Sequence, residues 1–540
     1  MMSGPSKSAG CERVRANIEL WLARPVSPWA LALLFLGLCL LPFLLFACSL
    51  DLHWFSLPRV FLRIDDFYYF GHSRTLSTAL GNWDLPHNAH LVPVFRFWSW
   101  IIFALAGHWR NLPQAAAIAC MLSLILVMLA AWRFVDEETG RPELALGAMV
   151  LTSVTTVMQP AATWYAASQT LCAGAGLLIA LCSLQAWARR GQPIALVVAG
   201  LAICAAMGSW SGGYMAIPTA CAYLWFSGER KQRRLAIGLL GCGAAAAVLL
   251  LIWKGNVVLD PNNLGGRAVS EALRPQAGLV HSMQAIPEFL VLRNLGLECA
   301  TTARQGVVYC MVLVFGWLAS RSRKLISPLE AAGAVLTIGS FLLAYTFRGY
   351  LPFESLRELG WYCTLPQIGL VLFLAGWLAE KGVPNSARTL TRGGALAVTL
   401  FAAILLACHR DPTQRFFTNS LPPLAPSELD KFPVTSLKLE RARYLAVERN
   451  EWQARYLARL DAVENTAKQH RISRQALQDV FGQFEGPGTL PGVDIFTFLN
   501  LPEGGAPSDV AAIHRLLDWC IVTEPEPRPP WLNPTDPWPR

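Results

Sequence analysis

The chain is a succession of apolar runs, and their lengths decide which solvent it can fold in. The runs are Trp29–Leu50, Gln114–Trp132, Leu144–Met158, Trp164–Trp187, Ile194–Trp210, Tyr214–Phe226, Leu235–Trp253, Val307–Ala319, Leu329–Tyr345, Trp361–Ala379 and Ala395–Cys408. A bilayer core about 30 Å thick is crossed by about 20 residues of helix, and hydrocarbon leaves a spanning chain only helices or closed barrels. Several runs are shorter than that, so their ends are soft. Of 540 residues, 54% are hydrophobic and 15% charged, where soluble domains carry about 25% charge. The expected fold is an all-α polytopic membrane protein with about eleven transmembrane helices.

Basic residues cluster in the short connections, at Arg189-Arg190, at Arg230-Lys231-Arg233-Arg234, at Arg321-Arg323-Lys324, and at Lys381, Arg388 and Arg392. Two apolar runs separate each cluster from the next, so all four can face the cytoplasm. The formal charge of +9 is thus spread as a topology signal, with no basic block for nucleic acid. The run Leu91–Gly107 breaks the alternation if it spans. It is short, carries Arg96 and is rich in tryptophan, so it reads as a helix lying in the outer interface. The result is a cytoplasmic N-terminal segment (1–28) and a membrane-embedded module (29–408) with outer loops 51–113, 254–306 and 346–360. A small α-rich extracytoplasmic C-terminal domain (409–540) follows. The expected location is the plasma (inner) membrane, N-terminus inside and C-terminus outside. Most cysteines sit in apolar runs as small hydrophobes, and no CxxC or Cys/His cluster has metal spacing.

The chemistry concentrates in the first outer loop, which holds Asp65, Asp66, His72, His87, His90 and Arg96. Adjacent carboxylates next to a first span must be solvated, paired or used. If a helix starts here, Asp65, Tyr69 and His72 share a face while Asp66 points about 100° away. Each residue also has a plain structural reading: either aspartate as a helix cap, the histidines as surface groups, Arg96 reaching for headgroups.

In order along the chain, Asp65-Asp66-Phe67, Asn88-Ala-His90 and Pro93-Val-Phe-Arg96 resemble the pattern Asp-Asp-Phe, Asn-x-His, Pro-x-x-Arg of bacterial GT-C-type glycosyltransferases. The chain is similar, over roughly Trp29–Cys408, to the aminoarabinose and protein mannosyl transferases, which use polyprenyl-phosphate sugars. The resemblance implies interfacial helices in the first outer loop and a catalytic aspartate, carried over to Asp65 or Asp66. It implies a polyprenyl-phosphate sugar donor and a lipid or glycan acceptor. His72, His87, His90 and Arg96 would line the substrate site. In the turn holding Trp164, Tyr165 and Gln169, some relatives carry a second acidic residue, and this chain has none. No cofactor is therefore expected, and a divalent metal would rest on Asp65 and Asp66 alone. Trp164 and Tyr165 suit an interfacial belt as well as substrate stacking. The segment with Arg348, Arg357 and Tyr362 is similar to the one that meets the lipid phosphate in this superfamily, a task for which guanidinium is suited. Headgroup anchoring is the alternative there.

The expected activity is transfer of a sugar to an extracytoplasmic acceptor, with a first-loop aspartate as base. A lipid or solute transporter would place ionisable groups inside the spans, which are almost free of them. A non-catalytic scaffold displaying the C-terminal domain is the other alternative. Cysteines introduced at Asn82 and Asn419, in a background lacking reactive native cysteines, are expected to react with impermeant reagents on intact cells. A cysteine at Lys231 is expected to stay unlabelled, and its labelling would reverse the orientation.

Overall fold

The computed structural model describes residues 7–50, 62, 64–85, 87, 90–258, 276–295, 326–348, 360–381 and 389–419, and then 457–476 without 459 and 463, 499 and 501. Among these, every extended element is helical, and the only β pairing is two isolated bridges. The helices are α1 (Lys7–Ala23), α2 (Pro28–Leu50), α3 (Ile64–Gly71), α4 (Leu76–Gly81), α5 (Pro93–Ala106), α6 (Leu112–Thr139), α7 (Pro142–Ser153) and α8 (Gln159–Thr163). There follow α9 (Gln169–Arg190), α10 (Pro193–Ser209), α11 (Ala216–Phe226), α12 (Arg230–Val258), α13 (Gln276–Ala285), α14 (Pro328–Thr346), α15 (Thr364–Lys381) and α16 (Arg392–Asn419).

Six described helices are long and apolar enough to cross a membrane: Trp109–Thr139, Ala166–Arg190, Arg230–Leu250, Pro328–Thr346, Gly360–Ala379 and Arg392–His409. Pro28–Phe43, Pro93–Ala106 and Pro193–Ser209 are shorter apolar helices. The outward faces are apolar too. On α12, Leu240, Val248, Leu249 and Ile252 are exposed, as are Ile194, Val197 and Leu201 on α10. An apolar surface of that extent is tolerated only against hydrocarbon. The chain is an all-α polytopic membrane protein.

Three expectations change in detail. Of the expected run Leu144–Met158, α7 supplies only the part up to Ser153, and α11 has 11 residues, so neither spans a bilayer by itself. The expected boundary between residues 408 and 409 falls inside α16, which continues through Pro412 to Asn419. The run Val307–Ala319 lies outside the described residues, so the described helices do not number the crossings.

Close helix packing rests on small residues. A Cβ on Gly333 of α14 would lie 2.4 Å from the Phe373 nitrogen and 2.6 Å from the Gly369 carbonyl of α15. Gly369 meets the Thr337 backbone as closely, at 2.6 Å. With no hydrophobic drive between helices in lipid, such backbone approach supplies the packing.

Basic residues gather at one end of the bundle. Arg189 at the end of α9 pairs with Glu137 at 3.1 Å, and Lys231 lies 4.9 Å over the Trp187 ring. The Arg392 backbone N–H donates to the Arg24 carbonyl at 2.8 Å, and the Arg392 guanidinium lies over Trp21. The polar outer-loop residues gather at the opposite ends of α6, α9, α14 and α15. Of the expected basic clusters, residues of those at Arg189, Lys231 and Arg392 lie at this end, and Arg321, Arg323, Lys324 and Arg388 lie outside the described residues.

The C-terminal region folds back onto the first outer loop. Arg74 forms a two-pronged pair with Glu464, one contact at 2.8 Å, and Lys468 donates to the same carboxylate at 2.6 Å. Asp461 accepts from the backbone N–H groups of Trp109 and Arg110 at 2.9 and 3.1 Å. Leu457, Leu460, Ile472 and Ala476 share an apolar cluster with Phe67, Tyr69, Phe70 and Phe95. Burial pushes the Glu464 carboxyl up, but the hydrogen bonds and charges of Arg74 and Lys468 outweigh it and hold the group below its ordinary value. Its contribution is therefore present above the unfolded carboxyl range, about pH 4.3, and is lost as pH falls through the lower folded value. Protease cutting within 457–476 is expected to accelerate on acidification below that range. Glu464→Gln is expected to accelerate it already at neutral pH, since breaking one side of a buried pair costs about 3 kcal/mol.

Candidate functional site

Helix α3 places the two aspartates in its first turn, and they diverge at once. Asp66 is fully buried, and its Oδ1 accepts from the Ala166 backbone N–H at 2.7 Å. It caps the one-turn 3-10 helix Ala166–Ser168 that leads into α9. Asp65 is 28% exposed and its Oδ1 lies 3.0 Å from His87 Nε2. Its other oxygen takes no partner among the described residues.

His87 and His90 are joined by reciprocal backbone hydrogen bonds, both 2.9 Å, which close a tight hairpin. The His87 ring packs at 4.3 Å from Tyr68 and 4.9 Å from Tyr69. His90 Nδ1 lies 2.7 Å from Ser211 Oγ, while Arg348 Nη2 reaches His90 Nε2 at 3.5 Å. Burial, then the Arg348 charge and His87, pulls the His90 imidazole down to about 3, so it is neutral at physiological pH. An arginine cannot accept, so Nε2 is the acceptor and Nδ1–H donates to Ser211. Two outer segments far apart in sequence, the first loop and the end of α14, meet at this imidazole.

Pro93 starts α5, and the first turn carries Arg96 onto its buried face. The guanidinium does not reach for headgroups. It is fully buried, donating from Nη2 to the Leu85 carbonyl at 2.8 Å and the Tyr68 hydroxyl at 3.3 Å. The Tyr68 and Tyr69 rings lie 5.1 and 5.9 Å from it. His72 sits at the end of α3, 4.5 Å from the Tyr68 ring. Burial, Arg96, His87 and Arg474, in that order, lower it to about 4.

The remaining sequence candidates divide. Tyr165 is interior, stacked on Phe70 and Phe95 at 4.3 and 5.1 Å with its hydroxyl 2.9 Å from Ser99, so it serves neither belt nor cleft. Gln169 is buried and accepts from the Tyr69 hydroxyl at 3.5 Å. Trp164 meets Trp361 edge-on at 4.7 Å, next to the buried Tyr362. Arg357 and Asn88 lie outside the described residues. Among the described residues no group of three or more His, Cys, Asp or Glu could hold a metal ion. The two aspartates turn to separate partners and do not form a shared chelate.

Sequence reading missed Ser211 and Tyr68. Ser211 follows Trp210 at the start of a 3-10 turn, where a Cβ on Gly213 would lie 2.0 Å from the Ala206 carbonyl. The Ser-Gly-Gly triplet closing an apolar run was the available signal for a tight turn. Tyr68 is one helical turn from Asp65, a spacing that puts both on one face.

No family model matches the chain, and no curated protein matches it. Among solved structures it is similar to the archaeal oligosaccharyltransferase AglB from Archaeoglobus fulgidus, in complex with an inhibitory peptide and a dolichol-phosphate. The identity is 14% and the TM-score 0.40, and the likeness covers 70% of this chain and 56% of that one. This chain thus matches little more than half the length of that structure, and the site stands on its own residues.

The divergence of the two aspartates is testable without an activity assay. Asp66→Ala strands a buried backbone N–H and is expected to cost about 1–3 kcal/mol, read as a lower Tm in detergent. Asp65→Asn is nearly isosteric and partly solvated, and is expected to change stability by no more than about 0.5 kcal/mol, leaving Tm nearly unchanged.

Proposed function

We propose that the chain is a membrane glycosyltransferase of GT-C type, moving a sugar from a polyprenyl-phosphate donor to an acceptor at the outer membrane face. One observation carries the reading: a half-open carboxylate, Asp65, held by His87, stands one hairpin away from a guanidinium, Arg348, held by His90. Such a pairing suits a reaction in which an acid–base group and an anion-stabilising group act on opposite sides of one carbon.

The chemistry follows from those residues. The acceptor hydroxyl oxygen attacks the anomeric carbon, and a C–O bond forms there as the C–O bond to the lipid phosphate breaks. Asp65 takes the hydroxyl proton on Oδ2, the oxygen that does not face His87. His87 is a positioning residue. With the proton on Nε2, it donates to Asp65 Oδ1 and keeps the other oxygen aimed. Arg348 faces the phosphate as its negative charge grows. Ser211 fixes the His90 tautomer, and so the direction from which Arg348 is held. Asp66 shapes the site from beneath through Ala166 and does not touch substrate.

The donor's bilayer-embedded lipid explains why the site lies at the ends of apolar helices. The phosphate reaches the cleft while its tail stays in hydrocarbon. Residues 457–476 are packed on the first loop rather than held away from it, which fits a working part better than a displayed scaffold.

Asp65→Asn is expected to lower turnover of a polyprenyl-phosphate sugar by about 10² or more at unchanged Tm. Arg348→Lys keeps the charge but loses the planar fork, and is expected to weaken donor binding. The assay is mass spectrometry of lipid-linked sugars and surface glycans in cells with the wild-type, variant or deleted protein. Wild-type turnover in both variants would remove this reading.

A further inference from the structure

Helix α1 is pinned to the bundle at its C-terminal end. The Arg392 N–H donates to the Arg24 carbonyl at 2.8 Å, the Val26 N–H donates to the Leu390 carbonyl at 2.9 Å, and Pro25 bridges to Thr391. The Arg392 guanidinium lies 5.2 Å over the Trp21 ring, and a Cβ on Gly393 would lie 3.4 Å from Leu22. These contacts fix the last turn of α1 where α16 begins. Trp29 of α2 and Leu396, Leu400 and Ile404 of α16 are exposed around that point. They face hydrocarbon, since Arg392–His409 is long and apolar enough to cross a membrane. The end of α1 therefore stands at the level where α16 enters the bilayer.

The helix itself is too polar to cross, with Lys7, Glu12, Arg13, Arg15 and Glu19 along it. Its apolar residues are nonetheless ordered. Cys11, Val14, Ile18 and Trp21 recur at spacings of three, four and three residues, which places them on one face. Ile18 is 52% exposed and Trp21 49% exposed, so the described part of this face is uncovered. Leu20 lies about 160° round the helix from Ile18. Four basic residues, Lys7, Arg13, Arg15 and Arg24, stand against the two acidic ones, Glu12 and Glu19. The Arg15–Glu19 pair is largely in water, where such a pair holds little.

We propose that α1 lies in the plane of the membrane, with Ile18 and Trp21 in the headgroup region, and that it recognises anionic phospholipid. The apolar face continues the hydrocarbon-facing surfaces of α2 and α16, so lipid is its neighbour. Tryptophan favours this depth, and Arg15, about 60° from Ile18, can lay its stem along the face and its charge among headgroups. The excess of basic residues sets the sign of the lipid, as in other basic in-plane helices. Because the turn after α1 is bonded to residues 390–392, docking also steadies the start of α16. None of this uses the glycosyl-transfer reading.

The test places a nitroxide on Ile18→Cys or, as the opposite-face control, on Leu20→Cys, in full-length protein lacking reactive native cysteines. The protein is held in nanodiscs of phosphatidylcholine alone or mixed equally with phosphatidylglycerol. Power saturation reads collisions with oxygen, which partitions into lipid, and with a water-soluble nickel chelate. In the anionic discs Ile18→Cys is expected to gain oxygen access and lose nickel access relative to Leu20→Cys. That protection is expected to weaken in phosphatidylcholine. Arg13→Gln with Arg15→Gln is expected to shift the docked population back by about fivefold per charge, at unchanged Tm. Equal nickel access at the two positions would leave α1 off the membrane and overturn the proposal. Equal protection of Ile18→Cys in the two lipids would overturn the recognition of anionic headgroups. Exclusion of both oxygen and nickel would assign the face to a protein partner or a second copy, and overturn it too.

Discussion

Hydrocarbon offers no hydrogen-bond partner, and a chain dissolved in it must satisfy each backbone group within its own helix. This constraint builds the bundle and also sorts its chemistry. Glycine and alanine let α14 approach α15, and α9 approach α10, because backbone contact replaces the hydrophobic drive that lipid removes. Ionisable side chains are then pushed to the helix ends. At one end they are satisfied by each other, as Arg189 is by Glu137. At the other end they are only partly satisfied, and the chemistry gathers there.

At that second end imidazoles and backbone amides join the ion pairs in holding the side chains. Asp66 spends its carboxylate on the Ala166 N–H, so the 3-10 turn before α9 is tied to the base of α3. The His87–His90 hairpin holds one ring against Asp65 and the other between Ser211 and Arg348. A neutral His90 suits this work, since its ring can donate from one nitrogen and accept at the other. The consequence is a carboxylate and a guanidinium held by the two histidines of one hairpin.

The C-terminal region enters the same arrangement from outside the membrane. Its Glu464 neutralises Arg74, and its Asp461 caps the turn before α6, so the first loop is clamped between the bundle and the segment at 457–476. A loop clamped on both faces can hold side chains in fixed geometry where an interfacial helix alone would slide.

The sequence by itself determined the solvent and the helical class. Both depend on run length and composition, which are local along the chain. It also singled out the first loop, because adjacent carboxylates and clustered histidines beside an apolar run are costly without a reason. Only the tertiary structure decided which aspartate is structural. Asp65 and Asp66 are chemically identical neighbours, and the choice hangs on a backbone N–H one hundred residues away in sequence. The inward turn of Arg96, the interior role of Tyr165, the part of Ser211 and the docking of the C-terminal segment have the same cause. Each is settled by a partner distant in the chain, and periodicity, which reports one element at a time, carries no information about the element packed against it.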